Sequence, residues 1–258
     1  MIDTHAHIYS EEFDNDRANV IQRAMDAGVK KIILPAIDSS SFSRMLELEN
    51  DYPGFCYATI GLHPTSVNAS YISELNLVRS ELKRRPYLAI GEIGIDLYWD
   101  KTYLNEQLVV FQHQLDMALH YNIPVIIHVR DSFDETMKAL LQYKNKGLKG
   151  IFHSFTGTLE QAESIIDFGG FLLGINGIIT FKNSGLSNVI KNIGLKHLVL
   201  ETDAPYLTPA PFRGKRNESA YLEYIVEKLS TTLSVSPETI IQLTTENALN
   251  LFKLQLEN

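Results

Sequence analysis

The chain has 258 residues, a formal net charge of −8 and 45% hydrophobic residues. This apolar share is enough for a large core and excludes a disordered chain. The acidic balance excludes a broad cationic face for duplex nucleic acid, because neutralising phosphates requires many Lys and Arg side chains. No apolar segment approaches the ~20 residues of a membrane span, so we expect no membrane partner.

The cysteine content points to a reducing compartment. Cys56 is the only cysteine, so the chain forms no internal disulfide. The first residues, Met1 to His5, lack the basic and apolar regions of a signal peptide. We therefore expect a cytoplasmic protein. The outer faces of the predicted helices are ordinary and leave the oligomeric state open, with a monomer favoured.

Short apolar runs alternate with amphipathic segments along the whole chain. The runs predict eight strands that start near residues 2, 31, 55, 87, 124, 149, 170 and 197. The segments between them predict helices at about 14–27, 39–50, 70–83, 105–121, 134–144, 158–168 and 187–193. Further helices are predicted from about residues 218, 237 and 246.

The alternation of strands and helices predicts an α/β fold, a TIM-like (β/α)8 barrel. The strands are continuous apolar runs, as buried parallel strands are. An open doubly wound sheet is the alternative, but no glycine-rich phosphate loop follows the first strand. No linker, repeat or low-complexity segment divides the chain. We therefore predict a single domain over residues 1–258.

Polar side chains stand at the predicted C-terminal ends of the strands, where barrel enzymes have their active sites. His5 and His7 are two residues apart in the first strand, so they project from one face of it. The same rim also receives His63, Glu92, His128, His153, Glu201 and Asp203. Five of the eight histidines of the chain therefore fall on one rim.

These residue types predict a site for two divalent metal ions. Imidazole suits zinc, iron or nickel, and carboxylate also suits magnesium or manganese. Glu92 comes from the middle of the strand order and is the candidate bridging ligand, which would hold the ions roughly 3.5–4 Å apart. Asp203 can bind one ion and accept the proton of an attacking water. A turn aspartate before Pro205 is the alternative role for Asp203.

The strand-end residues lie in six short motifs whose joint order and spacing are specific. The motifs are Ile2-Asp3-Thr4-His5-Ala6-His7, Ile60-Gly61-Leu62-His63-Pro64, Gly91-Glu92-Ile93-Gly94-Ile95-Asp96, Pro124-Val125-Ile126-Ile127-His128-Val129-Arg130-Asp131, Phe152-His153-Ser154-Phe155-Thr156-Gly157 and Glu201-Thr202-Asp203-Ala204-Pro205-Tyr206-Leu207. Through these motifs the chain resembles the TatD family of metal-dependent deoxyribonucleases, within the wider metal-dependent hydrolase barrels. The stretch Arg213-Gly214-Lys215-Arg216-Asn217-Glu218 is also similar to this family.

The resemblance implies two divalent ions, Mg, Mn or Zn, with Glu92 and Asp203 as catalytic residues. It implies six ligands in two groups: His5, His7 and Asp203 on one ion, His128 and His153 on the other, and Glu92 between them. The implied activity is hydrolysis of DNA phosphodiesters by a 3′→5′ exodeoxyribonuclease that acts on single-stranded or frayed ends, with a hydroxide held by the metal ions as nucleophile. RNA ends are an alternative substrate. The same ions could also hydrolyse a different ester or amide, in a small molecule or an aminoacyl-tRNA, and a non-catalytic metal-binding barrel is a further hypothesis.

Two residues are predicted to contact the substrate. His63 resembles the family histidine that reaches the substrate phosphate, and a rigid turn before Pro64 is its alternative role. Arg213 follows Asp203 by ten residues, and its guanidinium can grip phosphate with two hydrogen bonds. For Arg130, two residues past His128, we favour a structural ion pair over phosphate binding.

Three aromatic residues, Tyr98, Trp99 and Tyr103, follow Glu92 in the loop after the fourth strand. They could stack on bases, as aromatic residues of single-strand binders do, but we favour packing. The loop departs from the family pattern, which more usually has a tyrosine pair where Leu97-Tyr98-Trp99 stands here. Ser154 and Pro211-Phe212-Arg213 are further departures. None removes a predicted ligand, so they bear on substrate preference rather than on chemistry.

Overall fold

Eight parallel strands alternate with helices from the first residues onward. The computed structural model describes residues 1–256, so the last two residues of the predicted domain lie outside the described part. The strands are β1 (Ile2–Asp3), β2 (Lys31–Leu34), β3 (Cys56–Ala58), β4 (Ile90–Asp96), β5 (Val125–Arg130), β6 (Gly150–Phe152), β7 (Phe171–Ile175) and β8 (Leu198–Leu200). The helices are α1 (Arg17–Asp26), α2 (Ser39–Asp51), α3 (Tyr71–Arg84), α4 (Leu104–Tyr121), α5 (Phe133–Leu140), α6 (Leu159–Phe168), α7 (Leu186–Ile193), α8 (Leu222–Leu233) and α9 (Pro237–Phe252).

The strands close into one ring. They form two parallel sheets in chain order, β1 to β3 and β4 to β8. The amide of Thr4 donates to the Leu200 carbonyl at 3.0 Å and so joins β1 to β8. At the other seam the amide of Ile60, just after β3, donates to the Ala89 carbonyl at 3.1 Å, just before β4. The predicted TIM-like (β/α)8 barrel is therefore confirmed.

The interior of the ring is apolar towards the N-terminal ends of the strands. Ile33, Ile126 and Val199 belong to strands that are not neighbours in the ring, yet they pack in one cluster. Leu251 and Phe252, from the last turn of α9, join this cluster and cover that end of the barrel. A larger apolar cluster packs strands against the surrounding helices. The C-terminal rim is left for polar side chains, as in other barrels of this type.

The C-terminal helices differ from prediction in one place. The helix expected to begin near residue 246 does not exist separately, because α9 is continuous from Pro237 to Phe252. The helix begins at Pro237 as expected, and the Ser236 hydroxyl caps it by accepting from the Thr239 amide. Thr244 does not interrupt the helix, because its hydroxyl donates to the Ile240 carbonyl at 2.7 Å.

Three other helix boundaries shift by a few residues, and the first of these is the helix predicted from about residue 14, which begins at Arg17. The helix predicted from about residue 218 begins as a 3-10 turn, Ser219–Tyr221, and becomes α-helical at Leu222. The helix predicted to residue 144 ends at Leu140 and continues as a 3-10 turn to Tyr143. Within the described chain, every helix is too short or too polar to cross a membrane.

Candidate metal centre

The residues predicted at the strand ends meet at the C-terminal rim of the barrel. His7 follows β1, Glu92 lies in β4, His128 in β5, and Asp203 follows β8. These four, together with His63 and His153, line a cavity of about 630 Å³. His5 lies beneath them, fully buried. The structure thus brings together all six predicted metal ligands and one of the two predicted substrate contacts.

The first donor group is formed by His5, His7 and Asp203, with one oxygen of Glu92. The Nε2 atoms of His5 and His7 are 3.2 Å apart. Glu92 Oε2 lies 3.1 Å from His5 Nε2, and Asp203 Oδ1 lies 3.6 Å from it. Two ligands of a tetrahedral ion with bonds of 2.0–2.1 Å are about 3.3 Å apart. The donor atoms are therefore spaced as the ligands of a single small cation are.

The second donor group surrounds the other oxygen of Glu92. Oε1 lies 2.7 Å from His128 Nδ1 and 3.1 Å from His63 Nε2. Glu92 thus presents one oxygen to each group, which is the arrangement of a bridging carboxylate. The grouping differs from the one implied by resemblance, because His63 rather than His153 stands next to His128. His153 stacks instead on His5, with ring centroids 3.4 Å apart.

Burial and neighbouring charges set the protonation states of the first group. Burial lowers the pKa of His7 to about 4 and that of His5 well below its usual range. Both imidazoles are therefore neutral at pH 7, the form in which histidine binds a metal. Burial raises the pKa of Glu92, but the nearby histidines outweigh this effect and hold the pKa well below its usual range. Glu92 is consequently an anion.

The pKa values of His153 and Asp203 are raised, whereas those of His5, His7 and Glu92 are lowered. Burial lowers the pKa of His153, but the carboxylates of Glu201, Glu92 and Asp203 outweigh burial and raise it to about 10. Burial raises the pKa of Asp203 to about 7. Before a metal ion binds, His153 therefore carries a proton at pH 7 and Asp203 exchanges one.

Tyr9 fixes the tautomer of His7, a contact that sequence reasoning missed. The Tyr9 hydroxyl donates to the Pro35 carbonyl at 2.6 Å. Its single proton is thereby used, so the Tyr9 oxygen accepts from His7 Nδ1 at 2.9 Å. The proton of His7 is held on Nδ1, and the lone pair of Nε2 faces the donor group. The sequence shows only that a tyrosine stands two residues past the histidine pair.

We expect Tyr9→Phe to weaken metal binding by about 10- to 100-fold, because a phenyl ring cannot accept from His7. Competition with a coloured chelator measures the affinity. Tyr143→Phe is the matched control, since the Tyr143 hydroxyl is also buried but donates to Gln112 and contacts Asp116. Equal affinity of the Tyr9→Phe and Tyr143→Phe proteins would contradict the positioning role.

Two further carboxylates each lie next to a ring nitrogen of a candidate histidine ligand. Asp96 Oδ2 lies 2.9 Å from His128 Nε2, and Glu201 Oε1 lies 3.1 Å from His153 Nδ1. The sequence placed Glu201 at a strand end and Asp96 in a motif, but gave neither a role. Acids behind metal-ligating histidines orient the ring and increase its basicity.

The predicted substrate contacts have different places. His63 lines the cavity, whereas Arg213 does not. The guanidinium carbon of Arg213 lies 4.0 Å from the ring centroid of Phe181. Arg130 lines the cavity and forms no ion pair with the described residues, so the predicted structural ion pair is wrong.

Among the three loop aromatics, Tyr103 packs against the core as expected. Tyr98 and Trp99 are exposed, so the packing prediction is wrong for these two.

A parallel barrel with histidines from four strand ends gathered about one buried glutamate defines the class of metal-dependent hydrolase barrels. The family model described as TatD related DNase matches residues 2–253. The chain belongs to the TatD family and is a metal-dependent hydrolase.

Individual relatives agree with this assignment. The chain is 37% identical over 255 residues to YabD of Bacillus subtilis, named an uncharacterized metal-dependent hydrolase, with 98% of this chain and 99% of YabD covered. It is 30% identical over 260 residues to a Yersinia pseudotuberculosis protein named 3′-5′ ssDNA/RNA exonuclease TatD, with 98% and 100% covered. The crystal structure of YjjV, a TatD homologue of Escherichia coli, superposes with a TM-score of 0.92 at 34% identity and covers 99% of this chain and 98% of YjjV.

Proposed function

We propose that the protein is a 3′→5′ exonuclease that hydrolyses phosphodiester bonds at single-stranded or frayed ends of DNA. The observation that carries this proposal is the pair of donor groups that share Glu92 at the base of an open cavity. Two ions held by one carboxylate suit in-line displacement at phosphorus, because they stabilise both the attacking and the leaving oxygen. The relative named as a single-strand exonuclease supports the same substrate class.

In this proposal the site would hold two divalent ions. His5, His7 and Asp203 would bind one ion, His128 and His153 would bind the other, and Glu92 would supply an oxygen to each. Bound ions act as Lewis acids on the phosphate and lower the pKa of water. Nitrogen and oxygen donors accept Mg, Mn or Zn, so the donor set does not select among these metals.

The chain's own residues supply the proton transfer and the orientation of the substrate. Asp203 Oδ1 lies 3.6 Å from His5 Nε2, and its carboxylate would accept a proton from the attacking water. His63 reaches the cavity wall from the loop after β3 and is placed to donate to the substrate phosphate. The cavity lies within the ring of strand ends, so an unpaired end enters more readily than intact duplex.

The test is cleavage of a 5′-labelled single-stranded oligonucleotide with chelator, Mg, Mn or Zn. We expect a ladder that shortens from the 3′ end, requires metal, and is absent with the Glu92→Gln protein. RNA of the same sequence, run in parallel, determines which sugar is preferred. No cleavage with any metal, or equal cleavage by Glu92→Gln, would overturn the proposal.

A second candidate is hydrolysis of a different ester or amide by the same ions. The observation that favours it is the apolar part of the cavity wall, formed by Ile37, Ile178 and Leu207. Such a wall suits a small molecule or the aminoacyl end of a tRNA better than a phosphodiester backbone. Faster turnover of such a substrate than of any oligonucleotide, by the same preparation, would favour this candidate.

A further inference from the structure

Two large aromatic side chains are exposed at the mouth of the cavity. Tyr98 is 54% exposed and Trp99 is 69% exposed, and Trp99 lines the cavity. Their ring centroids are 5.0 Å apart and the rings are nearly perpendicular, at 87°. Clustered exposed aromatic surface beside a cavity marks a place where a ligand is contacted.

The turn that carries these rings is anchored to the metal centre. Asp96 Oδ1 accepts from the amides of Tyr98 at 2.9 Å and Trp99 at 3.3 Å. The side chain of Gln107 bonds to both the amide and the carbonyl of Asp96, at 2.9 and 3.2 Å. Since Asp96 also contacts His128, the rings are held at a fixed place relative to the donor groups.

Arg130 completes this arrangement from β5. Its guanidinium carbon lies 3.8 Å from the ring centroid of Tyr98 and 5.2 Å from that of Trp99. Within the described residues it has no carboxylate partner, and it lines the same cavity. A guanidinium stacked on an aromatic face keeps its N–H edges available, and these edges match a phosphate.

We propose that Tyr98, Trp99 and Arg130 form a binding site for single-stranded nucleic acid next to the metal centre. One unpaired base stacks on the aromatic pair, and Arg130 binds the adjoining phosphate. This inference rests on the proposed function and names the part of the substrate that the metal groups do not hold. The site accepts any base, because every base has a π face, but it requires that the base be unpaired.

Tryptophan fluorescence reports binding at the proposed site, because Trp99 is the only tryptophan of the chain. Short oligo-dT and oligo-U are titrated into the full-length protein in excess chelator, so that neither is cleaved, while tryptophan fluorescence is recorded. We expect both to quench it, and an oligonucleotide of abasic deoxyribose phosphates not to. A blunt hairpin of equal length should bind about tenfold more weakly, since its bases are paired. Equal quenching by the abasic strand would overturn the proposal.

Variants separate the contributions of base and phosphate. With a fluorescently labelled oligonucleotide, we expect Trp99→Leu and Tyr98→Leu each to bind about tenfold more weakly, a loss within the range for one stacked base. Arg130→Gln should reduce the slope of log affinity against log salt by about 0.7, the value for one phosphate contact on a single strand. Tyr121→Leu is the control, because Tyr121 is exposed on α4 and does not line the cavity.

The outcomes distinguish this inference from the proposed function. Oligonucleotides bound and cleaved equally well by the wild-type, Trp99→Leu, Tyr98→Leu and Arg130→Gln proteins would overturn the binding site and leave the exonuclease intact. Oligonucleotides neither bound nor cleaved by the wild-type protein would overturn both. Weaker binding by the three variants with unchanged binding by Tyr121→Leu would support the site.

Discussion

Replacing Glu92 by Gln is expected to lower the rate of metal-dependent hydrolysis by at least about 10³-fold. Glu92 presents Oε2 to His5 at 3.1 Å and Oε1 to His128 at 2.7 Å, so both donor groups lose an anionic oxygen at once. Charge stabilisation by bound ions contributes several kcal/mol to the transition state, and each 1.36 kcal/mol is tenfold in rate. The rate is measured with the substrate that the wild-type protein turns over fastest.

Glu218→Gln is the matched control for this substitution. Glu218 is also a buried carboxylate, but it pairs with Arg23 at 2.5 Å and does not line the cavity. We expect some loss of thermal stability and activity within about twofold of the wild type, since only the ion pair is weakened. A similar loss of activity in both variants, with both proteins folded, would mean that Glu92 acts through stability rather than through the metal ions.

Metal affinity is expected to increase by at least about tenfold per pH unit between pH 6 and pH 8. The protonated forms of His153 and Asp203 compete with the metal, and their pKa values are about 10 and about 7. His153 must therefore lose a proton throughout this window, and Asp203 must lose one in its lower half. The affinity is weak below these pKa values and becomes stronger as the pH rises through them.

Calorimetry in two buffers of different ionisation enthalpy measures the protons released on metal binding. We expect metal binding to release at least about one proton per chain at pH 7. Glu201→Gln should reduce this number, because it removes a negative charge 3.1 Å from His153 Nδ1 and so lowers the pKa of His153. An affinity that does not change between pH 6 and pH 8 would contradict the assignment of either residue as a ligand.

The barrel and the convergence of the histidines could be predicted from sequence because both follow from strand order. A buried parallel strand is a short apolar run, and the residue after it lies on the rim whatever the local rotamers are. His128 and His153 therefore reach the same rim as His5, although they are more than a hundred residues from it in sequence. The separate helix expected from about residue 246 is wrong, because α9 continues unbroken from Pro237 to Phe252.

The contacts behind and around the donor groups could not be predicted, because they depend on side-chain rotation and loop path. Nothing in the spacing of Tyr9 shows that its hydroxyl donates to Pro35 and accepts from His7. Arg213 follows the last strand closely enough to reach the cavity, but its loop turns its guanidinium onto Phe181. Arg130 was expected to need a carboxylate, and its partner is instead an aromatic face.

The packing of α9 under the barrel bears on how the proposed exonuclease would handle a long strand. Leu251 and Phe252 close the end of the ring opposite the histidines, and the interior beside them is filled by isoleucine and valine. The cavity is therefore closed at its base, and in the proposed exonuclease a strand that enters it would have no exit on the far side. In the proposed reaction each released nucleotide would leave through the opening by which the strand entered. A cavity closed at its base favours cleavage at an end over threading of a long strand or cutting in mid-strand.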